Sequence, residues 1–188
     1  ELNPGGGWYT EILANYIHYP GTLIAAQGSY YLEGFKKKMN SSSMYGRVEL
    51  VNLNSTLAEP NSVDAVVTFR NLHNWLGPEM DSIFRNSFEA LKSGGYFGVV
   101  EHRAKPGTDL ETMKSSGYVS EEHAIEVALK HGFKLVAKSE INANPKDTKD
   151  HPKGVWTLPP RLRLDDVDRD KYESIGESDR MTLLFRKP

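Results

Sequence analysis

Three stretches of this 188-residue chain hold residue types and spacings suited to chemistry. The first is Glu1-Leu2-Asn3-Pro4-Gly5-Gly6-Gly7-Trp8-Tyr9-Thr10: an acid, three glycines, and the start of an apolar-periodic segment. Glycine serves where backbone must turn sharply or lie against a ligand without a Cβ in the way. A glycine-rich strand-to-helix turn offers free N–H groups to an anionic group. The second stretch is Arg70-Asn71-Leu72-His73-Asn74-Trp75, polar and aromatic directly after an apolar run. The third is Glu101-His102-Arg103, again at the end of an apolar run. Histidine can take up a proton near neutral pH. His73 and His102 are therefore candidate general bases, with His73 the better placed beside Asn71 and Trp75. Neighbours on a strand point to opposite faces, so at most one of Glu101 and His102 is expected to face a cleft. Arg70 could pair an acidic substrate or bond loop carbonyls. His151 could act only if the stretch that carries it folds over the site. His73, His102 and His151 show no metal-ligand spacing, and no metal is assigned.

The glycine loop excludes two chemistries. A phosphate-binding P-loop closes on Gly-Lys-Ser/Thr, and this loop has no lysine. A dinucleotide fingerprint reads G-x-G-x-x-G/A. Here Gly5-x-Gly7 runs into Trp8 and Tyr9, with Thr10 in the third position, a poor match to a helix that must approach a pyrophosphate.

Alternating elements are needed to position these stretches. Trp8, Ile12 and Tyr16 on one stripe, and Tyr9, Leu13 and Ile17 on the next, predict a helix packed on a sheet. The short apolar run Thr22–Ala26, closed by Gln27, reads as a buried parallel strand. Arg47–Leu53 and Val63–Phe69 are further strands. Pro78 opens a helix whose buried stripe is Met80, Ile83, Phe84, Phe88 and Leu91, with Gly94-Gly95 as its expected stop. Tyr96–Val100 is a strand, Ser120 caps a helix that runs to Gly132, and Phe133–Ile141 and Met181–Phe185 are the last strands. Tyr30, Tyr31, Leu32 and Phe35 are read as one face of a further helix ending in Lys36-Lys37-Lys38, a solvated basic run. Between the last two strands lies a proline- and charge-rich insert, 142–180, with an apolar island around Trp156. It is too long for an ordinary hairpin loop and reads as a lid. Strand–helix alternation implies a parallel sheet; two final strands without a crossover helix imply an antiparallel end. The expected fold is a three-layer, Rossmann-like α/β domain over 1–188, with a seven-stranded sheet whose first strand begins before Glu1.

A net charge of −2 gives no electrostatic footprint for nucleic acid. No apolar stretch approaches the roughly 20 residues that span a membrane, and the absence of cysteine removes disulfides and thiolate chemistry. A soluble domain acting on a small molecule in the cytoplasm is expected, with export and a homodimer left open.

Taken together, the chain resembles a bacterial family of class I S-adenosylmethionine (SAM) methyltransferases of unassigned substrate. The resemblance rests on residues 1–13, on Arg-Asn-Leu-His-Asn-Trp at 70–75, on His-Pro-Lys-Gly-Val-Trp-Thr-Leu-Pro-Pro at 151–160 and on Gly-Glu-Ser-Asp-Arg-Met-Thr-Leu at 176–183. It implies SAM as cofactor, with its demethylated product S-adenosylhomocysteine (SAH) as competitor. It places Glu1, Asn3, Gly5, Gly6 and Gly7 around the amino-acid end, Gln27 at the ribose and Asn54 at the adenine, with Arg70 and Asn71 beside the cofactor. Gln27 and Asn54 stand where the family pattern often has acids. A methyltransferase-like binding domain without catalysis is therefore the alternative reading.

Overall fold

A computed structural model describes residues 1–188. Strands β1 (Leu23–Gln27) and β2 (Val48–Asn52) pair in parallel, Leu23 opposite Val48 and Gln27 opposite Asn52. Strands β3 (Val63–Phe69), β4 (Leu91–His102), β5 (Lys134–Ser139) and β6 (Arg180–Arg186) form a second group in the order β3-β4-β6-β5. There β3 runs parallel to β4, and β6 is antiparallel to both of its neighbours. One residue joins the two groups. Leu2 bridges in parallel to Ala26 of β1 and to Thr68 of β3, with Leu2 N–H donating to Val67 O at 2.9 Å and Asn3 N–H to Ala26 O at 2.7 Å. The full order is β2-β1-Leu2-β3-β4-β6-β5, six strands and a bridge in the central place of a Rossmann-like sheet.

The burial pattern explains why these runs form strands. β1 is apolar almost throughout because both of its faces are covered. Along β4 and β6, Phe97, Val99, Glu101, Met181, Leu183 and Phe185 are buried on one face, while Gly98, Val100, Thr182 and Leu184 opposite are half-buried. The edge strand β5 is mostly exposed and carries Lys134 and Lys138, charges that discourage pairing with another chain.

Helix α1 (Trp8–Tyr16) corrects one expectation. Trp8, Ile12 and Tyr16 are 74%, 52% and 78% exposed. The helix instead rests on buried Thr10, which donates to the Glu1 carboxylate, and on Tyr9, which stacks on Phe69 at 3.8 Å. Helix α2 (Leu32–Met39) buries Phe35, while Tyr30 and Tyr31 precede it in an exposed turn. After the single turn α3 (Leu72–Trp75), helix α4 (Pro78–Ala90) places Met80, Ile83 and Phe84 on the sheet, with Phe84 edge-on to Phe97 at 5.0 Å. Helix α4 stops at Ala90, ahead of the Gly94-Gly95 pair expected to end it. Leu91 is already extended and opens β4. The glycines lie where the pairing jumps from Val63–Leu91 to Ala65–Tyr96. Gly94 has φ 83°, and a Cβ on Gly95 would stand 2.9 Å from Lys92 O. Their role is a strand irregularity, where an unpaired residue needs backbone freedom.

Two short helices escaped the sequence reading: α5 (Leu110–Ser116), capped by Asp109, and α7 (Arg169–Ile175) inside the insert. Helix α6 (Glu121–Lys130) starts on Ser120, whose hydroxyl accepts the His123 N–H. The insert is tied down at Asp147, which is buried. Its carboxylate accepts the Tyr118 hydroxyl at 3.0 Å, the Lys149 and Asp179 N–H groups at 2.9 and 2.8 Å, and pairs with His151 Nε2 at 2.8 Å. Removing a carboxylate with this many donors leaves several buried groups unpaired. Asp147→Ala should therefore lower unfolding free energy by about 3 kcal/mol and open 145–165 to limited proteolysis. Asp147→Asn, which keeps one acceptor oxygen, should lose less; urea denaturation measures both.

Candidate functional site

A cleft of about 1170 Å³ opens at the carboxyl ends of β1 to β4, the edge at which open α/β sheets bind ligands. It is lined by Glu1 and Asn3 to Gly6, by Gly28 to Tyr31 after β1, by Leu53 and Asn54 after β2 and by Phe69 to Asn71 after β3. His73 on α3, His102 at the end of β4 and, from the insert, Val155, Trp156, Leu158 to Arg161 and Arg163 complete the far side.

The glycine loop divides its work. Gly5 takes φ 59°, and a Cβ built on Gly5 or Gly6 would meet nothing within 4 Å. These two positions face open cleft. Gly7 does not: its Cβ would stand 3.0 Å from the Phe35 ring and 3.2 Å from Lys38, so its missing side chain makes room for α2, and it lies outside the lining. Lys38, read from the sequence as part of a solvated run, donates to Gly6 O at 3.1 Å and Gly7 O at 3.2 Å, and pairs with Glu11 at 3.2 Å. It clamps the loop from a different element, so nothing local in the sequence marks it.

Gln27 is also corrected. It is fully buried and does not line the cleft; its Nε2 donates to Asn3 Oδ1 at 3.1 Å, and its Oε1 has no partner. Gly28 and Ser29, one and two residues on, hold the exposed place expected for it. Asn54 is exposed at the rim, and Arg70 lines the cleft with φ 60°. Asn71 is buried behind Asn3, its Oδ1 accepting Asn3 Nδ2 at 3.1 Å.

His73 and His102 come together as expected of a shared site, with ring centroids 5.3 Å apart. Glu101 is on the opposite face of β4 and fully buried, yet it enters the arrangement through His73. Its Oε1 meets His73 Nδ1 at 3.0 Å and accepts the His102 N–H at 2.8 Å, while Oε2 accepts the His73 N–H at 3.3 Å. The carboxylate thus caps the turn α3 and fixes the His73 ring, leaving Nε2 as the unengaged nitrogen. Burial alone would raise the Glu101 carboxyl. The His73 ring beside it and the bonds from His73 and His102 outweigh burial and hold it below the ordinary range. His102 Nδ1 meets the Ser178 hydroxyl at 2.5 Å. Burial pushes His102 down to about 4, offset in part by Glu101 and reinforced by the charges of His73, Arg70 and Arg180. Ligand-type atoms of His73, Glu101 and His102 lie within 4.8 Å of one another, but the carboxylate already accepts three donors, which an ion would have to displace. His151, grouped with the other histidines as a weighed metal set, faces Asp147 in the insert's anchor. Trp156 both lines the cleft and packs on Ala104, Tyr118 and Val155, its ring 6.0 Å from His73.

The depressed His102 carries a sign. The unfolded chain takes a proton at about pH 6.5, the folded one only near 4. The contribution to stability is complete above pH 6.5 and is lost as pH falls toward 4, up to about 3 kcal/mol. Carboxylates held low, such as Glu101, add losses only below the ordinary carboxylate range. In His102→Gln the segment between pH 6.5 and 4.5 should flatten; unfolding free energies across that range measure it.

Comparison with known proteins bears on this geometry. A family model described as a methyltransferase domain matches residues 1–99. No curated protein matches the chain. Among solved structures, the 4+2 cyclase SpnF is similar at 16% identity and TM-score 0.68, covering 100% of this chain and 73% of its own. A SAM-dependent methyltransferase from Aquifex aeolicus is similar at 12% identity and TM-score 0.65, covering 100% and 80%. Geranyl diphosphate C-methyltransferase from Streptomyces coelicolor A3(2), solved with Mg2+, geranyl diphosphate and SAH, is similar at 10% identity and TM-score 0.66, covering 100% and 69%. At these identities the solved structures speak for the fold. The family match spans more than half of the chain and takes in the glycine loop, β1 to β3 and most of β4: the chain belongs to the methyltransferase domain family, SAM-dependent methyltransferases of the class I Rossmann-like fold.

Proposed function

We propose that this cleft transfers a methyl group to a small-molecule acceptor, with the loop at Asn3 to Gly6 holding SAM and His73 taking the acceptor's proton. The observation that carries this reading is the meeting, in one cleft, of an open glycine cradle and a histidine oriented by a buried carboxylate. The residues present fit the cofactor. Gly5 and Gly6 leave the space a ligand would fill, Ser29 offers a hydroxyl on the ribose side, and Leu53 with Asn54 supplies an apolar and polar pair for an adenine. When bound, SAM supplies a methyl group already activated on a sulfonium, and the acceptor's attack breaks that sulfur–carbon bond and leaves SAH.

The chain's own residues then have three tasks. The insert closes the far side, and Trp156 and Leu158 exclude water from it. The Glu101 carboxylate keeps the His73 Nδ1 proton in place, so that Nε2 can accept a proton from a hydroxyl or amine, a contribution worth about 10²-fold or more. His102, kept neutral at physiological pH by burial, borders the same space without adding charge. A small acceptor, rather than nucleic acid, suits a net charge of −2 and a cleft roofed by the insert.

Gly6 gives the sharpest test, because its backbone is not in the left-handed region and a side chain there meets only open space. Calorimetry should show SAM and SAH binding to the same site. Gly6→Val should abolish both while circular dichroism stays unchanged. With labelled SAM and an acceptor panel, His73→Ala and Glu101→Gln should each cut turnover about 100-fold and leave SAM affinity alone. A wild-type protein that binds neither SAM nor SAH overturns the reading. Gln27, uncharged and turned away from the cleft, favours the second reading, a cofactor-binding domain without catalysis. SAM bound with no transfer to any acceptor would decide for it.

A further inference from the structure

The side of the cleft roofed by the insert holds more positive charge than its neighbours neutralise. Arginine ion pairs in this protein are made by Arg103, Arg169 and Arg180, so Arg70, Arg161 and Arg163, all in the lining, have no carboxylate; of these Arg161 and Arg163 are exposed. Arg163 lies with Cζ 4.7 Å from the Trp156 ring centroid, and that ring is 6.0 Å from His73. Arg180 pairs through Nη2 with Glu177 at 2.6 Å, while its Nε is buried with no acceptor. A buried donor without a partner is rare and calls for one. Arg70 is half-buried and held at φ 60° by its N–H bond to Val100 O at 2.7 Å. A side chain with a Cβ seldom occupies that region, and such strain gathers at functional sites. Arg70 and Arg180 line the same cleft as His73 and His102.

The acids of the lining do not balance them. Glu177 is taken by Arg180, Glu1 accepts the Thr10 hydroxyl, and Glu79 also lines a small adjoining cavity with Leu53 and Asn54, on the other side of the cleft. We propose that the acceptor carries an anionic group, a carboxylate or a phosphate, which Arg70, Arg163 and Arg180 hold so that its nucleophilic hydroxyl or amine meets His73. The guanidinium fork matches both anions with paired, charge-assisted hydrogen bonds. This rests on the methyl-transfer reading of the cleft. The anion is a recognition handle; the atom that is methylated is a separate one.

The test uses the full chain saturated with SAH, titrated calorimetrically with benzoate, inorganic phosphate and, as the neutral counterpart, benzamide. One or both anions should bind and benzamide should not; the stronger arm tells carboxylate from phosphate. Arg163→Gln, on the exposed insert, and Arg70→Gln should each weaken the bound anion about tenfold, the loss of one charge-assisted bond. Arg47→Gln, exposed and outside the lining, should change it little. Benzamide binding as well as benzoate, no anion binding, or unchanged affinity in both Arg163→Gln and Arg70→Gln overturns the proposal while leaving methyl transfer standing. Failure of SAH itself to bind overturns the transfer reading and this one with it.

Discussion

The structure depends on how Leu2 and Asn3 are held between β1 and β3. Their carbonyls sit at the carboxyl edge of the sheet, where strand pairing ends, with Leu2 buried and Asn3 half-buried. A buried carbonyl left without a donor costs on the order of 1–3 kcal/mol. Asn71 answers this need: its Nδ2 is shared among Leu2 O, Asn3 O and Thr68 Oγ1, each at 3.2 Å. Asn3 then returns a bond to Asn71 Oδ1 and accepts Gln27 Nε2 and Gly28 N–H on its own Oδ1. Three amide side chains from three strand ends thus lock one another. The lock sets where the glycine loop leaves the sheet on one side and where Arg70 and His73 leave it on the other. Gln27 acts on the cleft through this lock from behind its wall, while Asn71, mostly buried, reaches the lining.

A second constraint acts on the other side of the cleft. A fully buried carboxylate is costly unless its oxygens are satisfied, and Glu101 is satisfied by the His73 ring and two backbone N–H groups. Those same bonds fix the ring. The cost of burying the charge and the need to aim a histidine are met by one arrangement. Above it, Asp147 does the same for the insert, gathering Tyr118, His151 and two backbone N–H groups, so that Trp156 is set over His73 by contacts remote from it.

What could be read from the sequence follows from how local each signal is. The apolar run Val63–Phe69 is a strand over its whole predicted length, and the predicted last strand Met181–Phe185 lies within β6, because a strand's apolar residues are written in its own short run. Ser120 caps α6 because the cap bond spans three residues. His73 and His102 lie together because both follow strands that end at one edge. The misses need partners far along the chain. Lys38 looks like one of three solvated lysines until α2 is laid against the glycine loop. Gly7 reads as ligand wall until Phe35 is seen to occupy that side. Trp8, Ile12 and Tyr16 form a good apolar stripe, but α1 is rotated so that Thr10 and Tyr9 make the contacts. Gly94-Gly95 signals a break correctly and names the wrong element, since α4 passes directly into β4.

The family match ends at Val99, and that boundary has a chemical meaning. Within it lie the glycine loop, the asparagine lock and the turn that carries His73. Beyond it lie Glu101, which aims His73, then His102, Trp156, Arg163, Ser178 and Arg180. The fold alone does not choose a reaction: a structure named as a cyclase and others named as methyltransferases share it with this chain at similar TM-scores. Selectivity must therefore be carried by what is added to the shared frame. Here the addition is the last quarter of the chain folded back over the strand ends, and its Arg161, Arg163 and Arg180 line, with Trp156, the same cleft as His73.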